Sequence, residues 1–346
     1  MSKVVKIGKL NIGGGNKIAI QSMSTLKTAD TVRAIEQCQK LEKAGCDIFR
    51  FSVTDEKDAK AFYELKKQVS MPLVADIHFD YKLAIAAIDG GADKIRINPG
   101  NIGSEERVKA VADALKRNGV PVRVGSNTGS IEKEFLKKYG KNEISLGESA
   151  LKNVAILEKY GVDNIVISVK ASDVPLAVKA YEYIAKKTDY PLHLGVTEAG
   201  TEYNGVIKNS IGIGSLLLNG IGDTLRVSLS ADPEREVVAA RAILSAVNKL
   251  DDMVKIIACP TCGRCEWDCM GFAKKVEDYV KDVRKPLKIA VMGCAVNGPG
   301  EAADADIGIA GSKDCVVIFE KGKIVQKVTG EEVEKEFFRR VDECIR

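Results

Sequence analysis

Residues 94–124 read KIRINPGNIGSEERVKAVADALKRNGVPVRV. A β-branched run ends near Ile97, helical periodicity covers Glu106 to Leu115, Gly119 stops it, and a second run ends near Val124. Glycine at that position suits a left-handed helix end. The same strand-then-helix unit recurs along the first 250 residues, with apolar runs ending near Ile20, Phe51, Ala75, Ile97, Val124, Val169, Val196 and Leu229. Gln37 to Leu41 and Glu42 to Ala44 form another connecting helix, ended by Gly45. Eight units of roughly thirty residues argue for an α/β fold of the closed, parallel (β/α)8 TIM type rather than an open doubly wound sheet. Val237 to Leu250 reads as the closing helix, and Asp251 to Ile257 as a short link.

The chain has 346 residues, 45% of them hydrophobic, and single cores stop growing near ~250–300 residues. Two domains are expected: a barrel over 1–250, read as the substrate-binding part, and a small α/β domain over 255–346. In the second, Leu287 to Met292, Ala305 to Ala310, Cys315 to Phe319 and Lys323 to Lys327 read as strands. Glu320-Lys321-Gly322 reads as a hairpin turn, Asn297 to Gly300 as a turn, and Glu331 to Ile345 as a helix. Charge is nearly balanced, 52 basic against 48 acidic residues, which compels no nucleic-acid or membrane partner. The N-terminus lacks a signal-peptide stretch, and a cytoplasmic protein is expected. Nine cysteines, an odd and clustered set, make a poor disulfide framework.

In such a barrel, side chains at the carboxyl ends of strands surround the site. Those positions hold Gln21 and Ser22, Arg50, Asp76 and His78, Arg96 and Asn98, Arg123 with Ser126 and Asn127, Lys170, His193 with Thr197 and Glu198, and Arg226 with Ser228. Both histidines of the chain fall there, with a density of cations that an anionic, phosphate-bearing ligand would neutralise. A single arginine at a strand end is often only an ion-pair partner; five cations around one mouth are harder to explain that way. Ser210 to Leu218 carries Gly212 and Gly214, which read as a phosphate-approaching turn with a helix beginning near Gly214. Gly13-Gly14-Gly15 reads as a hairpin turn.

Cys259, Cys262, Cys265 and Cys269 have the C-x2-C-x2-C-x3-C spacing of a ferredoxin run, with Met270 where proline usually follows. Cys294 and Glu301 come about twenty-five residues later. Soft ligands crowded in a chain with two histidines point to iron-sulfur chemistry, with a four-thiolate structural zinc as the rival. A redox-inactive barrel enzyme with zinc and a simple electron-transfer protein are the competing classes.

CPTC followed by MGCAVNGPGEA resembles the 4-hydroxy-3-methylbut-2-en-1-yl diphosphate synthase family, the iron-sulfur enzymes of the non-mevalonate isoprenoid pathway. The resemblance runs through IQSM, ADIHF, IRINPGNIG, VKASDV, HLGVTEAG and GIGDTLRVSL. It implies a TIM barrel followed by a domain like the cluster-binding half-domain of sulfite and nitrite reductases. It also implies head-to-tail homodimers in which the cluster domain of one subunit covers the barrel mouth of the other. A 4Fe-4S cluster held by three cysteines and a glutamate maps to Cys259, Cys262, Cys294 and Glu301, with Glu301 exchangeable and Cys265 and Cys269 extra. The implied reaction is reductive ring opening and dehydration of 2-C-methyl-D-erythritol 2,4-cyclodiphosphate.

On that resemblance Arg50, Arg96, Arg123, Lys170, Arg226 and His193 hold the diphosphate, and Asn98, Asn127, Thr197 and Ser228 donate hydrogen bonds to it. Glu198, expected among apolar walls, is the proton donor, and Asp76 orients His78 or Arg50. The electron donor is flavodoxin or ferredoxin, for which Arg264, Lys274 and Lys275 offer a basic docking patch.

Overall fold

In the computed structural model, residues 1–295, 298–311 and 315–346 are described. The chain divides into two compact units, Met1–Lys249 and Leu250–Arg346.

The first unit begins with a hairpin, β1 (Val5–Ile7) and β2 (Leu10–Ile12), followed by β3 (Ala19–Met23), β4 (Ile48–Ser52), β5 (Leu73–Asp76), β6 (Lys94–Ile97), β7 (Val122–Asn127), β8 (Ile165–Lys170), β9 (His193–Leu194) and β10 (Thr224–Leu225). The last eight are all parallel, in the order β8-β7-β6-β5-β4-β3-β10-β9. A parallel bridge between Ile167 and Leu192 joins β8 to the residue before β9, so the ring closes. The helices are α1 (Thr31–Ala44), α2 (Glu56–Gln68), α3 (Tyr81–Asp89), α4 (Pro99–Ile102), α5 (Glu105–Asn118), α6 (Lys133–Tyr139), α7 (Glu143–Lys159), α8 (Val174–Ala185), α9 (Glu202–Leu218) and α10 (Pro233–Ala246). Helices α1 and α5 end on Gly45 and Gly119 in the left-handed conformation expected of them.

Strand alternation sorts the residues. Phe49 and Phe51 point outward, where Phe51 meets Phe62 of α2 edge-on. Inward, Ala19, Ile48, Val74 and Val166 form an apolar floor with Val5, Ile7 and Ile12 of the hairpin packed into it. Each such fully buried aliphatic side chain contributes about 1.5–3 kcal/mol. The hairpin therefore plugs the barrel at the amino ends of its strands, leaving the opposite end as the mouth.

Two local readings are corrected in this unit. The hairpin turn is Gly8-Lys9, and the glycine triplet lies after β2, leading into β3. Gly13 is required there: its φ is +74°, and a Cβ would lie 2.0 Å from the carbonyl oxygen of Lys3. The Ser210 to Leu218 segment is the last half of one continuous helix, α9, so no helix starts at Gly214. Gly212 instead lets α9 pack closely, since a Cβ would meet Val196 at 2.7 Å.

The second unit is a five-stranded sheet, β11 (Val254–Ala258), β12 (Leu287–Met292), β13 (Ile307–Gly311), β14 (Val316–Glu320) and β15 (Lys323–Val328), in sequence order. The first three strands are parallel and the last two antiparallel. The supposed link Asp251 to Ile257 thus holds most of a strand. Lys321 and Gly322 have φ of +48° and +77°, as a tight hairpin turn requires. Helices α11 (Cys269–Val280) and α13 (Glu332–Ile345) cover one face through Phe272, Val276, Phe337 and Val341. The short α12 (Gly298–Glu301) stands where a turn was read, and Asn297 of that turn lies outside the described residues. Phe319 lies over Gly308, and Trp267 over Gly311, where added Cβ atoms would fall 2.2 and 2.1 Å from the rings. Among the described residues no helix is long and apolar enough to cross a membrane.

Candidate functional site

The barrel mouth holds a cavity of about 230 Å³ lined by Met23, Arg50, Asp76, His78, Arg96, Arg123, Asn127, Ser168, Lys170, Thr197, Arg226 and Ser228. Five of these are cations and one is a carboxylate. Every cation expected at the strand ends is there.

Asp76, at the end of β5, organises one side. Its Oδ1 lies 3.3 Å from Arg96 Nη1 and its Oδ2 lies 3.6 Å from Arg50 Nε. Burial raises the Asp76 pKa, but Arg50, Arg96 and Arg123 outweigh it and hold the carboxyl below its usual range. The expectation that Asp76 orients Arg50 or His78 thus narrows to the arginines, because one carboxylate oxygen faces Arg50 and the other Arg96. Two glycines make space: a Cβ on Gly125 would sit 3.0 Å from Arg96 Nε, and one on Gly195 would sit 2.8 Å from Lys170 Nζ.

Burial depresses the pKa of three of the cations, and repulsion from neighbouring cations adds to it. Arg50 falls to about 10 through desolvation, with Arg226 and Arg96 opposing its charge and Asp76 supporting it. Arg123 and Lys170 are pushed well below their ordinary values by burial first and neighbouring arginines second. Nε and Nη1 of Arg123 are buried without a hydrogen-bond partner. Unpaired buried donors of this kind are costly unless a ligand or water accepts from them.

Not all expected residues line the cavity. His193 is fully buried beneath it: Nδ1 is 2.7 Å from Thr224 Oγ1, and Nε2 has no partner. Burial and then Arg123, Lys170 and Lys94 keep its imidazole neutral. Ser126 faces outward to Ser149 of α7, 3.4 Å away, because alternation gives the inward positions to Arg123, Gly125 and Asn127. Asn98 accepts from Gly100 N at 3.1 Å and caps α4. Glu198 is exposed, in the left-handed region at φ +54°, so the apolar walls expected around it are missing. His78 lines the mouth and is exposed.

Other contributors escaped the sequence reading. Met23 accepts from Arg50 Nη2 at 2.7 Å. Glu236, in the first turn of α10, pairs with Arg226 through 3.0 and 3.2 Å contacts. Lys94, one inward position below Arg96, is fully buried and donates to Gln21 Oε1 at 3.2 Å. A lysine two residues before a strand-end arginine was the available signal.

The second unit places two of the cysteines expected as ligands at the carboxyl ends of two adjacent parallel strands. Cys259 follows β11 and Cys294 follows β12, with Ala258 opposite Val291 in the register. Cys262 is exposed, beyond Thr261 at φ +62°. Glu301 is exposed on α12, whose Gly298 N donates to Cys294 O at 3.1 Å. Among the described residues no three or more His, Cys, Asp or Glu side chains are drawn together into a metal-holding group. Gly293 leaves room for sulfur, since its Cβ would lie 3.3 Å from Cys259 Sγ and 3.2 Å from Cys265 Sγ. Cys269 opens α11 with its thiol 3.6 Å from Val291 O, and burial pushes it up to about 12. Cys269 is thus a core thiol, whereas Cys259 is half-buried and Cys262 exposed.

The barrel resembles the dihydropteroate synthase of Yersinia pestis, at 12% identity and a TM-score of 0.52 over 72% of this chain and 99% of that one. It also resembles phospho-2-dehydro-3-deoxyheptonate aldolase of Thermotoga maritima, at 14% identity and a TM-score of 0.50 over 72% of each chain. Both likenesses concern the fold alone. Residues 2–241 match the model of the GcpE TIM-barrel domain, and residues 255–343 that of the GcpE protein C-terminal domain. A protein of Caldanaerobacter subterraneus subsp. tengcongensis is 53% identical over all of this chain and 98% of its own length. One of Bacillus subtilis is 51% identical over 99% of this chain and 91% of its own. Both bear the name 4-hydroxy-3-methylbut-2-en-1-yl diphosphate synthase (flavodoxin). With both units matched and half the residues shared from end to end, the chain belongs to the GcpE family of 4-hydroxy-3-methylbut-2-en-1-yl diphosphate synthases.

Proposed function

We propose that the chain converts 2-C-methyl-D-erythritol 2,4-cyclodiphosphate to (E)-4-hydroxy-3-methylbut-2-enyl diphosphate and water, taking its electrons from flavodoxin. One observation carries the reading: five cations and a single carboxylate line one closed-bottomed cavity. The cyclic substrate carries one negative charge on each of its two phosphoryl groups. Ring opening frees a phosphate end and adds a third charge, so the cationic lining favours the opened state over the bound ring. The step consumes two electrons and one proton per water released.

Arg123, with two unpaired buried nitrogens, and Lys170 donate to phosphate oxygens at the cavity floor. Arg50 and Arg96, oriented by Asp76, and Arg226 hold the sides. Thr197, Ser228 and Asn127 line the rim as hydrogen-bond donors, and His193 acts from beneath, as a neutral support. Glu198 is the proton donor proposed at the rim.

The donor set of the second unit fits a 4Fe-4S cluster: Cys259, Cys262 and Cys294 are thiols outside the core, with Glu301 as a weaker oxygen ligand. When bound, that group would supply single electrons and a Lewis-acidic iron, with Glu301 as the weakest and most exchangeable of its four protein ligands. A head-to-tail homodimer, in which the second unit of one copy covers the barrel mouth of the other, is part of the proposal. Such a cover would give Glu198 the dry surroundings that it lacks here.

The test is anaerobic turnover of the cyclic diphosphate with reduced flavodoxin, alongside the Cys294→Ser variant. Product formation by the parent chain, with brown colour and acid-labile sulfide lost in the variant, is expected. A variant that keeps its full iron and sulfide would overturn the ligand assignment.

A further inference from the structure

Arg226 follows β10 and reaches the cavity with one side of its guanidinium already occupied. Glu236 is 4% exposed, and both of its oxygens are fully used. Oε1 accepts from Arg226 Nη2 at 3.0 Å and from the Leu229 backbone N–H at 3.1 Å. Oε2 accepts from Arg226 Nε at 3.2 Å and from the Ser22 hydroxyl at 3.2 Å. The loop after β10 and the start of α10 therefore meet on one carboxylate with β3, which lies 214 residues earlier at Ser22. Arg226 Nη1 is left on the cavity side, 3.7 Å from the Met23 sulfur.

We infer that Glu236 is a positioning residue for anion recognition: it clamps the Nε–Nη2 edge of Arg226 so that Nη1 faces the ligand, and it touches no ligand atom itself. The inference rests on the anion-binding reading proposed above. It differs from the part played by Asp76, which lines the cavity, whereas Glu236 does not. A carboxylate suits the task for three reasons. Two oxygens satisfy four donors, which an amide with one oxygen does not. The two-point contact with a planar guanidinium fixes its orientation as well as its distance. The first turn of α10 favours a negative charge through its unpaired N–H groups.

The test is calorimetric titration of the full-length chain with inorganic pyrophosphate, together with thermal melts, for the parent, Arg226→Ala, Glu236→Gln, Glu236→Asp and Glu236→Gln/Arg226→Ala. Glu236→Gln is expected to weaken pyrophosphate about tenfold, or about 1.4 kcal/mol. Glu236→Asp, which keeps two oxygens on a shorter stem, should recover part of that loss. The double variant should bind as weakly as Arg226→Ala alone, because the clamp has nothing left to hold. In turnover, Glu236→Gln should raise KM for the cyclic diphosphate by a larger factor than it lowers kcat.

Equal losses from Glu236→Gln with and without Arg226 overturn the inference, since they mark a general structural role. Unchanged affinity in Glu236→Gln, with Arg226→Ala weakened, overturns it while leaving the anion-binding reading intact. Parent-like affinity in Arg226→Ala overturns both. If Glu236→Gln does not fold, the comparison with and without Arg226 is made in Glu236→Asp, and the same outcomes decide.

Discussion

The Asp76 carboxylate sits 3.3 Å from the Arg96 guanidinium, and its other oxygen faces Arg50 at 3.6 Å. One acid thus restrains two cations that would otherwise repel each other. Removing one member of a buried pair costs about 3–5 kcal/mol. Asp76→Asn should lower stability by about that much at pH 7, measured by urea unfolding. The sign with pH follows from the depressed carboxyl pKa: this stabilisation is present above the unfolded value of 3.8 and is lost as pH falls through the lower folded value. The gap between parent and variant should therefore close in strong acid. A gap that persists there would mean that Asp76 acts through something other than its charge.

Lys170 and Lys94 are buried among arginines and hold their protons weakly. An anion in the cavity reverses the repulsion that Lys170 feels and raises its pKa, so binding should take up protons. Pyrophosphate affinity should then fall as pH rises from the depressed free value toward 10.5, the ordinary lysine value. Titrations at one pH in HEPES and in Tris should differ in heat by the protons absorbed. Identical heats in both buffers would contradict this.

Cys265 and Cys269 lie near Cys259, and the proposed ligand set leaves both out. Cys265→Ala and Cys269→Ala should each keep the parent content of iron and acid-labile sulfide, assayed on anaerobically purified protein. Cys269→Ala should cost about 1 kcal/mol, typical of a small change in a packed core. Loss of half or more of the iron in either variant would restore the ferredoxin run as the ligand set.

Gly308 lies under the Phe319 ring, where a Cβ would be 2.2 Å from its nearest carbon. Gly308→Ala should destabilise the second unit by about 1–3 kcal/mol through overpacking. Trp267, the single tryptophan of the chain, lies in that unit and reports its unfolding by fluorescence. An unshifted fluorescence transition would show that the sheet relaxes around the added methyl.

Much of this was readable because parallel barrels place chemistry at strand ends. Runs of β-branched residues located all eight barrel strands, and the residues at their ends included every cation of the cavity. Direction was harder. Ser126 and Asn127 are adjacent, and only the period of two decides which one sees the cavity. Gly212 and Gly214 looked like an anion-binding turn, yet the apolar spacing from Glu202 to Leu218 continues straight through them as one helix. Glu236 carried no local signal, because its partner is ten residues earlier on a different element. Lys94 was passed over as an ordinary strand residue, since burial of a lysine runs against composition-based expectation.

The stoppered floor of the barrel, sealed by Val5, Ile7 and Ile12, leaves the strand-end mouth as the cavity's doorway among the described residues. On the proposed function, the cyclic substrate and the opened diphosphate would compete for the one cation-lined cavity behind it. Diphosphate product added from outside should therefore raise the apparent KM and leave the maximal rate untouched, and any lid over that doorway would set the pace of departure.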